Sequence, residues 1–218
     1  MDRAGVNRLL LHRAARPVLW LLCLLPLAGW IWGGIHGGLG ANPAETLLRG
    51  TGEWTLRGLC VVLAVTPLRQ WSGLHALARW RRMLGLFVFF YAVLHFLAYA
   101  WLDMGFDPAA IAKDLAKRPF ALVGFLGFVL LVPLAATSFN RAIKALGAAR
   151  WQRLHRLVYA IAGLGLLHLF WMRASKQRYG EVLVYAAVLG VLLGWRVWRA
   201  WQVARAARAS QHSRVTGG

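Results

Sequence analysis

The chain has 218 residues, 59% of them hydrophobic and 15% charged, with a mean hydropathy of +0.53 and twelve tryptophans. This excludes disorder and argues against a soluble globular domain, because the apolar residues are gathered into runs long enough to cross a bilayer. A net charge of +19 would point to nucleic acid in a soluble protein, but here the basic residues lie between apolar runs, as in an integral membrane protein surrounded by lipid, with no nucleic acid partner.

In chain order, a basic segment (1–16, with Arg3, Arg8, Arg13 and Arg16) precedes apolar spans at 17–34, 53–68, 83–102, 120–137, 153–171 and 180–198. The expected fold is all-α, a six-transmembrane-helix bundle over 17–199 with a tail at 200–218. The first span lacks an A-x-A cleavage site and is expected to be a retained anchor. The second is short and carries Arg57 about a turn inside its start. Cys23 and Cys60 fall inside spans and read as packing residues. HGGLG (36–40) has no strand or phosphate-loop signature around it and is expected to be a tight outer loop. Asp107-Pro108 opens a stretch to Lys117 that predicts a short outer helix capped by Asp107. The tail after Trp201 is expected to fray.

Loop by loop, the N-terminus, the second loop (Arg69, Arg79, Arg81, Arg82), the fourth (Arg141, Lys144, Arg150) and the tail from Arg196 hold sixteen Lys and Arg. The other loops hold seven: Arg49; Lys113, Lys117 and Arg118; Arg173, Lys176 and Arg178. The asymmetry places both termini in the cytoplasm. Six of the seven acids fall on the opposite side, where Glu53 and Glu181 are expected to begin helices. Trp30, Trp32, Trp54, Trp101 and Trp171 mark the outer interface, and Trp71, Trp80, Trp151, Trp195, Trp198 and Trp201 the inner one.

Chemistry is expected at the histidines inside spans, His95, His155 and His168. Measured from the inner ends of their helices, His95 lies at ~18 Å and His168 at ~22 Å, so the two could face each other, while His155 is ~20 Å lower. A bare metal ion would want more ligands than the spans supply, whereas a porphyrin brings four nitrogens and needs only two axial imidazoles. Such coordination favours electron transfer over oxygen chemistry. The thirteen residues from His155 to His168 rotate ~220° beyond whole turns, so either the 163–165 glycines distort the helix or two cofactors lie on different sides of it.

The segments HGGLGANP (36–43), TPLR (66–69), RRMLGL with YAVLHFLAY (81–99), RPF (118–120) and WQRLHRLVY (151–159), followed by His168, resemble the MsrQ family of heme-binding membrane subunits. The resemblance extends from about His36 to Trp198 and implies membership of the wider ferric reductase and NADPH oxidase-like superfamily. It implies one or two b-type hemes on His95, His155 and His168, and residence in the bacterial inner membrane. Where two-heme relatives have a second histidine on the third helix, this chain has Arg81 and Arg82, which puts the second ligand of an inner heme in doubt. His75 is a conceivable substitute, but reads better as a solvated loop histidine. The arginine pair could instead hold the phosphate of FMN or a heme propionate, or simply anchor the span.

The sequence shows no nicotinamide-binding fingerprint, so reduction is expected to begin elsewhere, on a cytoplasmic flavin reductase or the quinone pool. The implied acceptor is a periplasmic molybdenum-containing methionine sulfoxide reductase subunit that repairs oxidised proteins. On this reading the chain is the electron-transfer subunit, and sulfoxide chemistry occurs on its partner. Two other classes fit the histidines less well: a solute or proton transporter, for which no mid-membrane carboxylate is present, and a structural anchor without a cofactor.

Overall fold

The computed structural model describes residues 3–174, 177 and 179–216. Lys176 and Arg178, counted above among the outer-loop charges, lie outside the described residues. Helices follow one another as α1 (Arg3–Leu11), α2 (Ala15–Ile35), α3 (Pro43–Ser72), α4 (Leu77–Ala98) with a π-helical turn at Tyr99–Asp103, α5 (Pro108–Lys117), α6 (Pro119–Ala136), α7 (Asn140–Leu146), α8 (Ala148–His155), α9 (Leu157–Ala174) and α10 (Gly180–Thr216).

Five stretches are long and apolar enough to cross a membrane: Ala15–Ile35, Leu77–Asp103, Pro119–Ala136, Ala148–Ala174 and Gly180–Arg208. The second expected span is not among them, although its helix α3 is far longer than the sequence suggests. Glu53, expected to open a helix, sits in the middle of α3, whose cap is Asn42, with Asn42 Oδ1 accepting from the Glu45 amide at 3.1 Å. The reason lies in packing. α3 contacts α2, α4, α9 and α10 and buries Leu56, Leu59, Val62, Leu63 and Val65, so neighbouring helices cover much of its surface, and its charges Glu53 and Arg57 pair with each other at 3.0 Å. Small residues let the neighbours approach: a Cβ on Gly58 would meet Val88 of α4 at 2.8 Å, and one on Gly50 would meet Trp30 of α2 at 2.6 Å.

The outermost helix, α2, buries no residue and is held by side chains, with the Tyr91 hydroxyl donating to the Cys23 carbonyl at 2.6 Å and Trp20 edge-on to Phe87. After α2 the chain reverses through Gly37 and Gly40, both at positive φ, and Thr46 Oγ1 donates to the Leu39 carbonyl at 2.8 Å, which gives the tight loop expected there. The expected short helix after Asp107 is α5. Asp107 accepts from the Ala109 amide at 2.8 Å, and the Tyr99 hydroxyl donates to Asp114 at 2.8 Å, fastening α5 to the end of α4.

Two expectations need correction. The span at 153–171 is interrupted, but at Arg156 and not at the glycines. There the Arg156 amide bonds to the Arg153 carbonyl and the Tyr159 amide to the Arg156 carbonyl, both three residues back, while α9 runs unbroken through Gly163 and Gly165. The tail does not fray after Trp201. α10 continues to Thr216, with Arg205 over the Trp201 ring at 4.7 Å.

Candidate functional site

Alternating helix directions gather the start of α3, the end of α4, α5, the start of α6 and the end of α9 at one end of the bundle. Below them α4 carries His95 and α9 carries His168. Their ring centres are 6.1 Å apart and the rings are inclined by 76°.

Each ring is oriented by a backbone carbonyl of another helix. His95 Nδ1 lies 2.9 Å from the Leu48 oxygen on α3, and His168 Nδ1 lies 2.7 Å from the Phe120 oxygen on α6. A carbonyl only accepts, so both Nδ1 atoms carry the proton and both Nε2 atoms keep a free lone pair. Four residues after each carbonyl stands a glycine under the ring it holds. A Cβ on Gly52 would meet His95 Cε1 at 3.0 Å, and one on Gly124 would meet His168 Nδ1 at 2.8 Å. Both imidazoles are thus seated in the same way, on a carbonyl and a glycine one turn apart.

A cavity of about 600 Å³ opens between α3, α4, α6 and α9 at this pair, within the ~300–1,000 Å³ range of cofactor sites. Its walls are apolar, including Leu56, Leu59, Ala92, Phe96, Phe128 and Leu131, with Phe96 stacked on Phe128 at 5.0 Å. Among the described residues no cluster of three His, Cys, Asp or Glu could hold a bare metal ion. Two imidazoles bound trans to one metal through bonds of ~2.0–2.1 Å would have ring centres ~6.3 Å apart. The observed separation matches that span, and the remaining ligands would have to come with the metal, as a tetrapyrrole brings them.

Charged residues crowd one end of the cavity. Arg173, expected to be a loop charge, has a side chain only 7% exposed, 2.5 Å from Glu181 and 3.8 Å from Glu53. Glu53 also pairs with Arg57 at 3.0 Å, and Arg118 with Asp114 at 3.1 Å. Arg173 Nε is buried without a hydrogen-bond partner. The ion pairs were legible as acid and arginine four residues apart in 45–49, 53–57 and 114–118. Burial of Arg173 was not, because it depends on α10 returning beside α9. Glu181 does open a helix as expected, in the first turn of α10.

His155 does not join the pair and does not line the cavity. It ends α8, where its Nε2 lies 3.2 Å from Thr137 Oγ1 and its ring lies against Trp151 at 4.0 Å. Thr137 Oγ1 donates to the Pro133 carbonyl at 2.7 Å, so Nε2 is the donor to Thr137 and Nδ1 holds the free lone pair. Arg81 lies exposed near the start of α4, whereas Arg82 beside it donates to Asn140 at 2.7 Å. His75 lies in a different cleft, with Trp71 and Trp195.

Residues 49–166 match the family model described as ferric reductase like transmembrane component. Relatives from several bacteria carry the name protein-methionine-sulfoxide reductase heme-binding subunit MsrQ. The one from Polaromonas naphthalenivorans is 65% identical, covering 89% of each chain. That from Ralstonia nicotianae is 54% identical over 85% of each, and that from Caulobacter vibrioides 47% identical over 83% of this chain and 85% of its own. No solved structure matches the chain.

Proposed function

We infer the function from a plain premise: this chain belongs to the MsrQ family, multi-pass membrane proteins with the ferric reductase-like transmembrane fold. It serves as the heme-binding subunit of a protein-methionine-sulfoxide reductase, carrying electrons across the bacterial inner membrane. The donor side is a cytoplasmic flavin reductase or the quinone pool, and the acceptor is a periplasmic molybdenum-containing catalytic subunit. α3 completes a six-helix bundle as its central span, with both termini in the cytoplasm.

The observation that carries this reading is the His95–His168 pair at 6.1 Å, with both Nδ1 atoms committed to carbonyls. His95 and His168 would hold the heme through Nε2, each kept in orientation by the Leu48 and Phe120 carbonyls. A b-type heme held there would supply a one-electron carrier. Leu56, Leu59, Phe96 and Phe128 give the pair apolar surroundings, and Gly52 and Gly124 leave room for the imidazoles against the helix backbones.

His155 and Arg81 belong to a second level nearer the cytoplasmic end. Among the described residues no second imidazole is in ring contact with His155, which favours one bis-histidine site per chain. Arg81, whose neighbour Arg82 already donates to Asn140, would hold an acidic group at that level, a flavin phosphate of FMN or a cofactor carboxylate. The test is the absorption spectrum of detergent-purified protein. A Soret band with a sharp α band on reduction is expected, and it should be lost or shifted to the high-spin form in His95→Ala and His168→Ala. A wild-type preparation from heme-replete cells that carries no Soret band would overturn the assignment.

A further inference from the structure

The opposite end of the bundle contains a second cavity, of about 570 Å³, between the last turns of α3 and the middle of α10. Its chemistry differs from that of the first. Arg69, His75 and Arg199 line it together with Trp71, Trp195 and Trp198, and no carboxylate does. Trp71 and Trp195 meet edge to face at 5.7 Å, while Trp71 and Trp198 remain 61% and 50% exposed.

The arginines around the first cavity are neutralised within the chain: Arg49 by Glu45, Arg57 by Glu53, Arg118 by Asp114 and Arg173 by Glu181. Arg196, next to the second cavity, is also committed, donating to the Leu192 and Leu63 carbonyls and so tying α10 to α3. Arg69 and Arg199 form no ion pair among the described residues. Two guanidinium groups therefore converge on a concave site without a counter-charge. The site lies at the end of two long helices, beside indoles of the kind that sit at the headgroup level of a bilayer.

We propose that the cleft lined by Arg69, Arg199, Trp71 and Trp198 binds the phosphate of an anionic phospholipid headgroup. Guanidinium groups match the phosphate oxygens in geometry and charge, and the indoles offer an apolar face to the glycerol and first acyl carbons. A zwitterionic lipid is disfavoured because its ammonium would be brought beside two arginines that no acid among the described residues pairs with. This inference needs only that the helices span a membrane, and stands apart from the cofactor assignment.

The test uses the full chain in phosphatidylcholine vesicles, titrated with brominated phosphatidylglycerol while tryptophan emission is followed. A saturable phase of quenching is expected at low mole fraction of phosphatidylglycerol and not with brominated phosphatidylcholine. Arg69→Gln with Arg199→Gln should raise its midpoint ~30-fold, from the attraction of two arginines to an anionic surface. Arg141→Gln with Arg150→Gln, on the same end but outside the cleft, should leave the midpoint in place. Adding inorganic phosphate to wild-type protein separates the two sources of the same chemistry: no displacement supports the lipid, whereas full displacement at millimolar phosphate overturns it in favour of a free phosphate site. Equal quenching by the two lipids, or an unchanged midpoint in the cleft variant, would also overturn the proposal. The lipid comparison and the phosphate arm need no variant, so they decide the matter even if the double substitution fails to fold.

Discussion

Gly124→Ala places a methyl group where the His168 ring now sits. Its Cβ would lie 2.8 Å from Nδ1 and 2.9 Å from Cε1, so the ring must retreat by roughly 0.6 Å to reach ordinary contact. It cannot do so freely, because the same Nδ1 is held at 2.7 Å by the Phe120 carbonyl of the helix that carries Gly124. Losing that hydrogen bond costs ~1 kcal/mol and an off-rotamer imidazole another ~1 kcal/mol, together equivalent to ~30-fold in affinity. Heme titration of the apoprotein, followed at the Soret band, measures the change as a dissociation constant. Gly52→Ala should be milder, ~3- to 10-fold, because its Cβ would meet His95 at 3.0–3.1 Å and smaller adjustments suffice. Gly163→Ala is the internal control: it lies in α9 with nothing within 4 Å and should bind heme as the wild type does. If Gly124→Ala also binds heme with wild-type affinity and spectrum, His168 does not hold the cofactor in the orientation described here.

The histidines themselves should behave as a coupled pair and a singleton. His95→Ala and His168→Ala should each abolish the same low-spin signal, and the double variant should add little, whereas His155→Ala should be additive with either; strong non-additivity between His95 and His155 would contradict the pairing. Arg173→Met should destabilise the protein by ~2–3 kcal/mol in denaturant unfolding, less than the ~3–5 kcal/mol of a fully buried pair because Glu181 is 54% exposed; a change below ~0.5 kcal/mol would mean that the cluster is no more than a surface pair. A reporter fused after Gly218 should be active only in the cytoplasm and one inserted beside Asp107 only in the periplasm, and the reverse pattern would invert the direction assigned to electron flow.

Much of the architecture was legible because hydropathy reports the lipid-facing surface. The five spans, the Asp107-capped α5 and the tight loop through Gly37 and Gly40 all follow from local signals. What hydropathy reads poorly is a helix shielded by other helices: α3 is central, so Glu53 and Arg57 lowered its score and half of its length was missed. The break at Arg156 has no glycine or proline to announce it. It coincides with tertiary contacts on Thr137, where Trp151 Nε1 donates to the carbonyl at 3.0 Å and His155 bonds to the hydroxyl. Counting depth along ideal helices correctly brought His95 opposite His168. The glycines and carbonyls that orient the two rings lie on α3 and α6, far from either histidine in sequence, and emerged only with the fold.

The central claim, that His95 and His168 together complete one heme, is tested most directly by electron paramagnetic resonance of the ferric full-length protein. Two imidazole ligands inclined by 76° should give a low-spin signal with the strong anisotropy of nearly perpendicular axial rings, and His168→Ala should convert it to high spin. A wild-type protein whose ferric heme is predominantly high-spin would contradict the claim, because it would leave one of the two histidines off the iron.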